Sequence, residues 1–231
     1  MATRLSVEKV QKEKLFLDRL PKETRNAFLY CTEHFSFFVN SKWYLAGGTA
    51  LAIQEGHRQS VDLDFFLPQI EFEEEVLERS LFATGNWNTS FRQEGTIYGA
   101  LLDAKVSFIA YPFFHPSPKR KSLGYVQILI PKDIAAMKII AISQRGRKRD
   151  FVDLYWNSKN KEPIYDVIIR AIHQYPGQGD NLHHILKSLV YFEDAEEDPM
   201  PKIFFDATWK EIKQYFQREI PNITKEFLGL K

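Results

Sequence analysis

The chain has 231 residues, a formal net charge of +1, 44% hydrophobic and 26% charged residues, a balance that excludes a mostly disordered protein and gives no global charge argument for nucleic acid. One cysteine, Cys31, excludes an internal disulfide framework and a cysteine-built zinc site. No apolar run is long enough for a transmembrane helix, and the first residues, MATRLSVEKVQKEK, carry charges where a signal peptide needs its apolar region, so a cytoplasmic protein with no membrane partner is expected.

In chain order, the N-terminal stretch reads as helical from about Val7 to Arg19 and again from Lys22 to Phe38, with Pro21 between them. Trp43 to Ala46 reads as a short strand ending in Gly47-Gly48, Thr49 to Glu55 as a helix, and Val61 to Leu67 as a strand closed by Pro68. Glu71 to Ser80 reads as helix, and Asn88 to Gln93, Ile97 to Leu101 and Lys105 to Tyr111 as a meander. Pro112 to Leu123, with three prolines and the basic run Lys119 to Lys121, reads as a loop. A short strand, Tyr125 to Ile130, precedes a helix from Pro131 to Gln144, where proline suits the first turn and Asp133 complements the dipole. Gly146 stops that helix, a second runs from Lys148 to Ser158, and everything after Pro163 reads as helical. The expectation is an α/β unit over residues 1–130, carrying the N-terminal helices, followed by a helical portion over 131–231.

Two features carry chemistry. A strand, Gly47-Gly48-Thr49 and a helix form a phosphate-binding arrangement: glycines let the backbone approach a bulky anion, and the helix N-terminus points free N–H groups at it. The second is the run VDLDFFLP. On a strand, Asp62 and Asp64 face the same way. Two carboxylates meeting at about 4 Å repel by roughly 4 kcal/mol at an effective dielectric near 20. A divalent ion with oxygen ligands answers that repulsion, and Mg²⁺ is commonly held by one or two carboxylates together with substrate phosphates. The two features lie one helix-and-return apart, which brings them to the same end of adjacent strands.

Together, GGTALA and the later G-H-R-x-S-x-D-L-D-F-F resemble the signature of the DNA polymerase β-like nucleotidyltransferase superfamily, and more narrowly that of the AbiEii/AbiGii-type toxin nucleotidyltransferases. Lys138-Ile139-Ile140-Ala141 corresponds to that family's K-h-x-A helix, and Arg149-Asp150-Phe151-Val152-Asp153 to its R-D-x-x-D motif. The resemblance spans Trp43 to Tyr155. It implies a polymerase β-like core with a mixed sheet, then a helical portion, and transfer of a nucleoside monophosphate from NTP with release of pyrophosphate. It implies Asp62 and Asp64 as ligands of Mg²⁺, with Mn²⁺ as the alternative ion, and Gly47, Gly48, Thr49, Arg58, Lys138, Arg145 and Arg149 as nucleotide contacts. Asp150 or Asp153 would assist the acceptor hydroxyl, in a cleft between the two portions. The role implied is the toxin of a toxin–antitoxin or abortive-infection pair, with a cognate antitoxin and an acceptor that is RNA, such as tRNA, or protein.

The residues leave alternatives beside this. Lys138, in the apolar run IAAMKIIAI, needs a partner: a triphosphate, or a carboxylate such as Asp150. Arg58, Arg145 and Arg149 can contact phosphate or pair with acids. His57 could approach the nucleotide. The resemblance also implies a third carboxylate on a later strand, yet Ser107 stands there, and Asp103, four residues earlier, is a poor substitute. An aminoglycoside-type enzyme would want an acidic cleft, whereas the basic clusters here favour RNA. A degenerate, nucleotide-binding non-enzyme is the remaining reading.

Overall fold

The architecture follows from one strand order. In the computed structural model, which describes residues 5–177 and 179–229, the strands are β1 (Ser6–Lys9), β2 (Tyr44–Ala46), β3 (Leu63–Leu67), β4 (Trp87–Gln93), β5 (Thr96–Leu101), β6 (Ala104–Ala110), β7 (Lys119–Leu123) and β8 (Val126–Leu129). Among the described residues they make one mixed sheet, in the order β1-β7-β8-β2-β3-β6-β5-β4. The first helices are α1 (Lys22–His34), α2 (Gly47–Glu55) and α3 (Glu74–Phe82). Contacts divide the chain into two units, Met1–Ile134 and Ala135–Lys231.

In the first unit, β3 is central. It pairs antiparallel with β2 and parallel with β6. Its side chains alternate, with Leu63, Phe65 and Leu67 buried and Asp64 and Phe66 half-buried. The buried side meets Phe108 of β6, whose ring stacks on Phe65 at 5.3 Å, while Phe35, Phe38 and Trp43 close round them. The core therefore lies on one side of β3, and the aspartates are on the other.

The β4–β5–β6 meander turns at Leu102-Asp103, both at positive φ. Its outer pair carries a register shift between Thr89 and Phe91. Because side chains alternate along a strand, the extra residue Ser90 puts Phe91 on the side its parity would otherwise deny it. Asp103 is thus a turn residue remote from Ser107.

Two expectations are corrected here. The stretch Val7 to Arg19 is not a helix: it forms β1 and two short 3₁₀ turns, Lys12–Lys14 and Leu17–Arg19. β1 is exposed at every residue and is held by parallel backbone pairing with β7, so no apolar pattern marked it. The expected loop Pro112 to Leu123 ends as β7. Arg120 at its centre is buried, its guanidinium over the Tyr44 ring at 5.0 Å and its Nη1 donating to the Ser117 and Lys119 carbonyls. A basic residue of the run read as loop is a packed part of the strand. Burial and the neighbouring Asp133 raise the Tyr44 hydroxyl pKa against the opposing pull of Arg120.

α4 (Pro131–Arg145) starts in the first unit. There Asp133 does more than complement a dipole: its Oδ2 accepts from both the backbone N–H and the hydroxyl of Ser117, each at 2.8 Å. The second unit continues with α5 (Lys148–Asn160), α6 (Ile164–Gln174), α7 (Leu182–Ser188), α8 (Glu193–Glu196) and α9 (Trp209–Phe227). Phe151 of α5 is its packing centre, 5.1 Å from Phe192, 5.9 Å from Trp209 and 5.4 Å from Phe216 between ring centroids. Thr208 caps α9 with a full capping box to Glu211. Among the described residues no helix is long and apolar enough to cross a membrane.

Candidate active site

β2 ends at Ala46, which pairs directly with Asp64 of β3. The chain then turns into α2 through Gly47, whose φ of +70° favours glycine. A Cβ on Gly47 would stand 2.9 Å from Asp64 Oδ2, so the turn and the carboxylate share one small space. Gly48 is held to glycine by packing instead of φ: a Cβ there would overlap Nη2 of Arg58 and lie 3.0 Å from Ser60 Oγ. The glycine turn, Arg58, Ser60 and Asp64 are therefore brought together.

Thr49 follows in the first turn of α2 and is fully buried. Its hydroxyl donates to the Asp62 carbonyl and lies 2.9 Å from Ser60 Oγ. Of Thr49, expected as a nucleotide contact, the side chain ties α2 to the start of β3, and its backbone N–H lies in the first turn of α2. Arg58 is likewise buried, donating from Nη1 to the Gln59 carbonyl at 2.8 Å, and His57 is buried beside it. Arg58 thus acts on the turn from inside the fold. Ser60 was missed as a site residue, although it stands in the G-H-R-x-S run that precedes the aspartates.

Asp62 and Asp64 are both half-buried, on the side of β3 away from the aromatic core. On the far flank of Asp64, β6 runs parallel with Ser107 in register, and the Ser107 hydroxyl donates to Asp64 Oδ1 at 2.7 Å. The donor set is two carboxylates and a hydroxyl, hard oxygen chemistry that suits Mg²⁺ or Mn²⁺ better than a zinc site of His and Cys. Among the described residues no three His, Cys, Asp or Glu side chains form a metal cage. An ion held by Asp62 and Asp64 would need further oxygens from its ligand, as phosphates provide.

In the second unit the expected residues gather into a cluster of their own. Lys138 of α4 is buried, its Nζ 2.5 Å from Asp150 Oδ1 and 2.8 Å from Asp153 Oδ2 of α5. Arg145 adds its Nε at 3.2 Å from Asp150 Oδ2, with its side chain 53% exposed. Burial pushes the Asp150 pKa up, but Lys138 and Arg145 outweigh it and hold the carboxyl below its usual range. Of the two partners open to Lys138 on sequence, the structure shows the carboxylates. Asp150 and Asp153, the residues expected to assist an acceptor hydroxyl, have no exposed surface and are both engaged by Lys138 in the ion cluster. Arg149 is exposed. Asn157, one turn beyond Asp153, is fully buried and its side-chain amide has no hydrogen-bond partner among the described residues.

Comparison with known proteins places these features in context. A family described as "Nucleotidyl transferase AbiEii toxin, Type IV TA system" matches residues 36–228. An uncharacterised protein of Aquifex aeolicus (strain VF5) is 35% identical over 220 residues, covering 91% of this chain and 98% of that one. Among solved structures, a candidate nucleotidyltransferase from H. pylori shares the fold, with a TM-score of 0.50 at 15% identity, over 91% of this chain and 99% of its own. The nucleotidyltransferase toxin MenT4 of Mycobacterium tuberculosis H37Rv aligns with a TM-score of 0.39 at 14% identity, over 88% of this chain and 94% of its own.

Proposed function

Because the chain belongs to the AbiEii nucleotidyltransferase toxin family, we propose that it transfers a nucleoside monophosphate from an NTP to a hydroxyl of RNA, using Gly47, Gly48, Asp62 and Asp64. The observation that carries this reading is the pairing of Ala46 with Asp64, which sets a positive-φ glycine turn against a carboxylate pair on one side of one strand. Backbone N–H groups at the start of α2 bind the triphosphate, and buried Arg58 biases the turn toward anions. Asp62 and Asp64 would hold a divalent ion, which when bound neutralises phosphate charge and polarises the reacting phosphorus.

The acceptor oxygen forms its bond to the α-phosphorus as the bond to the bridging oxygen breaks. Pyrophosphate leaves with the electron pair, and the acceptor proton passes to water. The chain's part is positioning and charge stabilisation, which supply most of the rate enhancement in phosphoryl transfer. Lys138, Asp150 and Asp153 are positioning residues in this reading, fixing α4 against α5. The biological setting is a cytoplasmic toxin with a cognate antitoxin.

The test is incubation with each labelled NTP, Mg²⁺ or Mn²⁺, and total RNA or protein, beside Asp62→Ala/Asp64→Ala. Label on RNA that the variant does not produce is the expected result. No label on any acceptor, with wild type equal to the variant, overturns it.

A further inference from the structure

The row of side chains that contains Asp64 continues across the sheet. Asp64 pairs with Ser107, Ser107 with Tyr98 of β5, and Tyr98 with Phe91 of β4. Residues directly opposite on neighbouring strands share a face, so all four stand on the side away from the aromatic core. Strands lie about 4.8 Å apart, which sets Tyr98 roughly 10 Å and Phe91 roughly 14 Å from Asp64 along the row. The two rings stack on one another, with centroids 5.6 Å apart and planes 26° from parallel. Both stay open to solvent, Tyr98 at 42% and Phe91 at 44%.

Phe91 owes its place to the register shift after Thr89. In an unbroken strand it would share the side of Thr89, whose hydroxyl bonds Glu78 of α3. Because Ser90 is left unpaired in the bulge, Phe91 stands beside Tyr98 instead. On the same side, Lys105 of β6 is exposed two residues before Ser107 and pairs with Ala100. A flat aromatic pair with a cation alongside is the chemistry that holds single-stranded nucleic acid by base stacking and phosphate contact.

The glycine turn lies on the β2 flank of Asp64 and the rings on the β6–β5–β4 flank. Building on the nucleotidyltransferase reading, we propose that Tyr98 and Phe91 form the acceptor subsite, stacking an unpaired base of the RNA strand whose hydroxyl is modified. The phosphates of the NTP then occupy one flank of Asp64 and the acceptor strand the other. Tyr98 and Phe91 set where the acceptor lies, and Lys105 contacts its backbone.

The full chain is titrated into a fluorescent, unstructured 12-nucleotide RNA with Mg²⁺, and separately with NTP alone. Phe91→Ala/Tyr98→Ala raises the Kd for RNA on the order of 10- to 100-fold and leaves the NTP Kd unchanged. Phe91→Leu/Tyr98→Leu, which keeps apolar packing at the edge but removes both flat rings, weakens RNA equally, and restoring one ring as Tyr98→Phe recovers binding. An abasic strand of the same length binds wild type as weakly as RNA binds the alanine variant. Equal RNA affinity in wild type and the leucine variant, equal binding of the abasic strand, or lost transfer to protein instead of RNA overturns the proposal. If wild type labels no acceptor, the nucleotidyl-transfer reading fails by itself, and the RNA titration still decides whether the rings form a base platform.

Discussion

Ser107 Oγ reaches Asp64 Oδ1 across the parallel β3–β6 pair, a neutral donor in register with a carboxylate that the proposed reaction requires. The bond fixes one oxygen of Asp64 and leaves the other facing Gly47. Ser107→Asp replaces that donor with a second charge one strand away. Without metal the two carboxylates repel by about 4 kcal/mol at an effective dielectric near 20, so the melting temperature should fall by several degrees. Mg²⁺ or Mn²⁺ should restore it, with a larger rise than in wild type. A metal-independent melting temperature in Ser107→Asp would show that this row does not bind a divalent ion.

Gly48→Ala tests the glycine turn without altering its backbone region. The new methyl group needs the space of the Arg58 guanidinium, which is buried and cannot swing into water freely. NTP affinity should drop about 10-fold, with a stability loss of roughly 1–3 kcal/mol typical of overpacking. In an Arg58→Ala background the same substitution should cost almost nothing further in denaturant melts, because the clash is gone. Additive losses would place the two residues apart.

Lys138→Met removes the cation shared by Asp150 and Asp153. Breaking a buried ion pair from one side costs about 3–5 kcal/mol, and calorimetry at neutral pH should read a loss of that size. The pH dependence changes sign. In wild type the Asp150 pKa is depressed by folding, so its contribution is present above the unfolded value, about 3.9, and is lost as pH falls below it. In the variant Asp150 loses its nearer cation and keeps only Arg145, so burial and the neighbouring Asp153 push its carboxyl back up, and stability should instead improve as pH drops toward 5. Parallel profiles for the two proteins would contradict the ion cluster.

Asn157→Leu exchanges a buried amide that lacks partners for an apolar side chain of similar volume. Removing an unsatisfied polar group should stabilise the protein by about 1 kcal/mol, read as a rise in melting temperature. A fall would mean that an ordered water satisfies the amide.

Much of this was legible in the chain itself, and the reason is periodicity. VDLDFFLP alternates as a strand with one buried side must, so the shared side of Asp62 and Asp64 could be read directly. The glycine turn could be read because its neighbours are a strand and a helix. What escaped depended on partners distant in sequence. β1 has no buried side and exists only through its pairing with β7, and Arg120 is buried only because Tyr44 lies beneath it. Spacing placed Lys138 among acids without choosing between them and a phosphate; the packing of α4 on α5 makes that choice. Tyr98 and Phe91 were two aromatics among many, since register and bulge, not composition, bring them into the row of Asp64.

The bulge at Ser90 also has a meaning for how such proteins diversify. Thr89 and Phe91 pair with the adjacent residues Gly99 and Tyr98, so deleting the unpaired Ser90 would straighten β4 and keep Phe91 opposite Tyr98. It would leave Gly47, Asp62 and Asp64 where they are. One codon gained or lost at that point of the sheet edge is therefore absorbed by the bulge, and the row beside the reaction centre is inherited along with the centre itself.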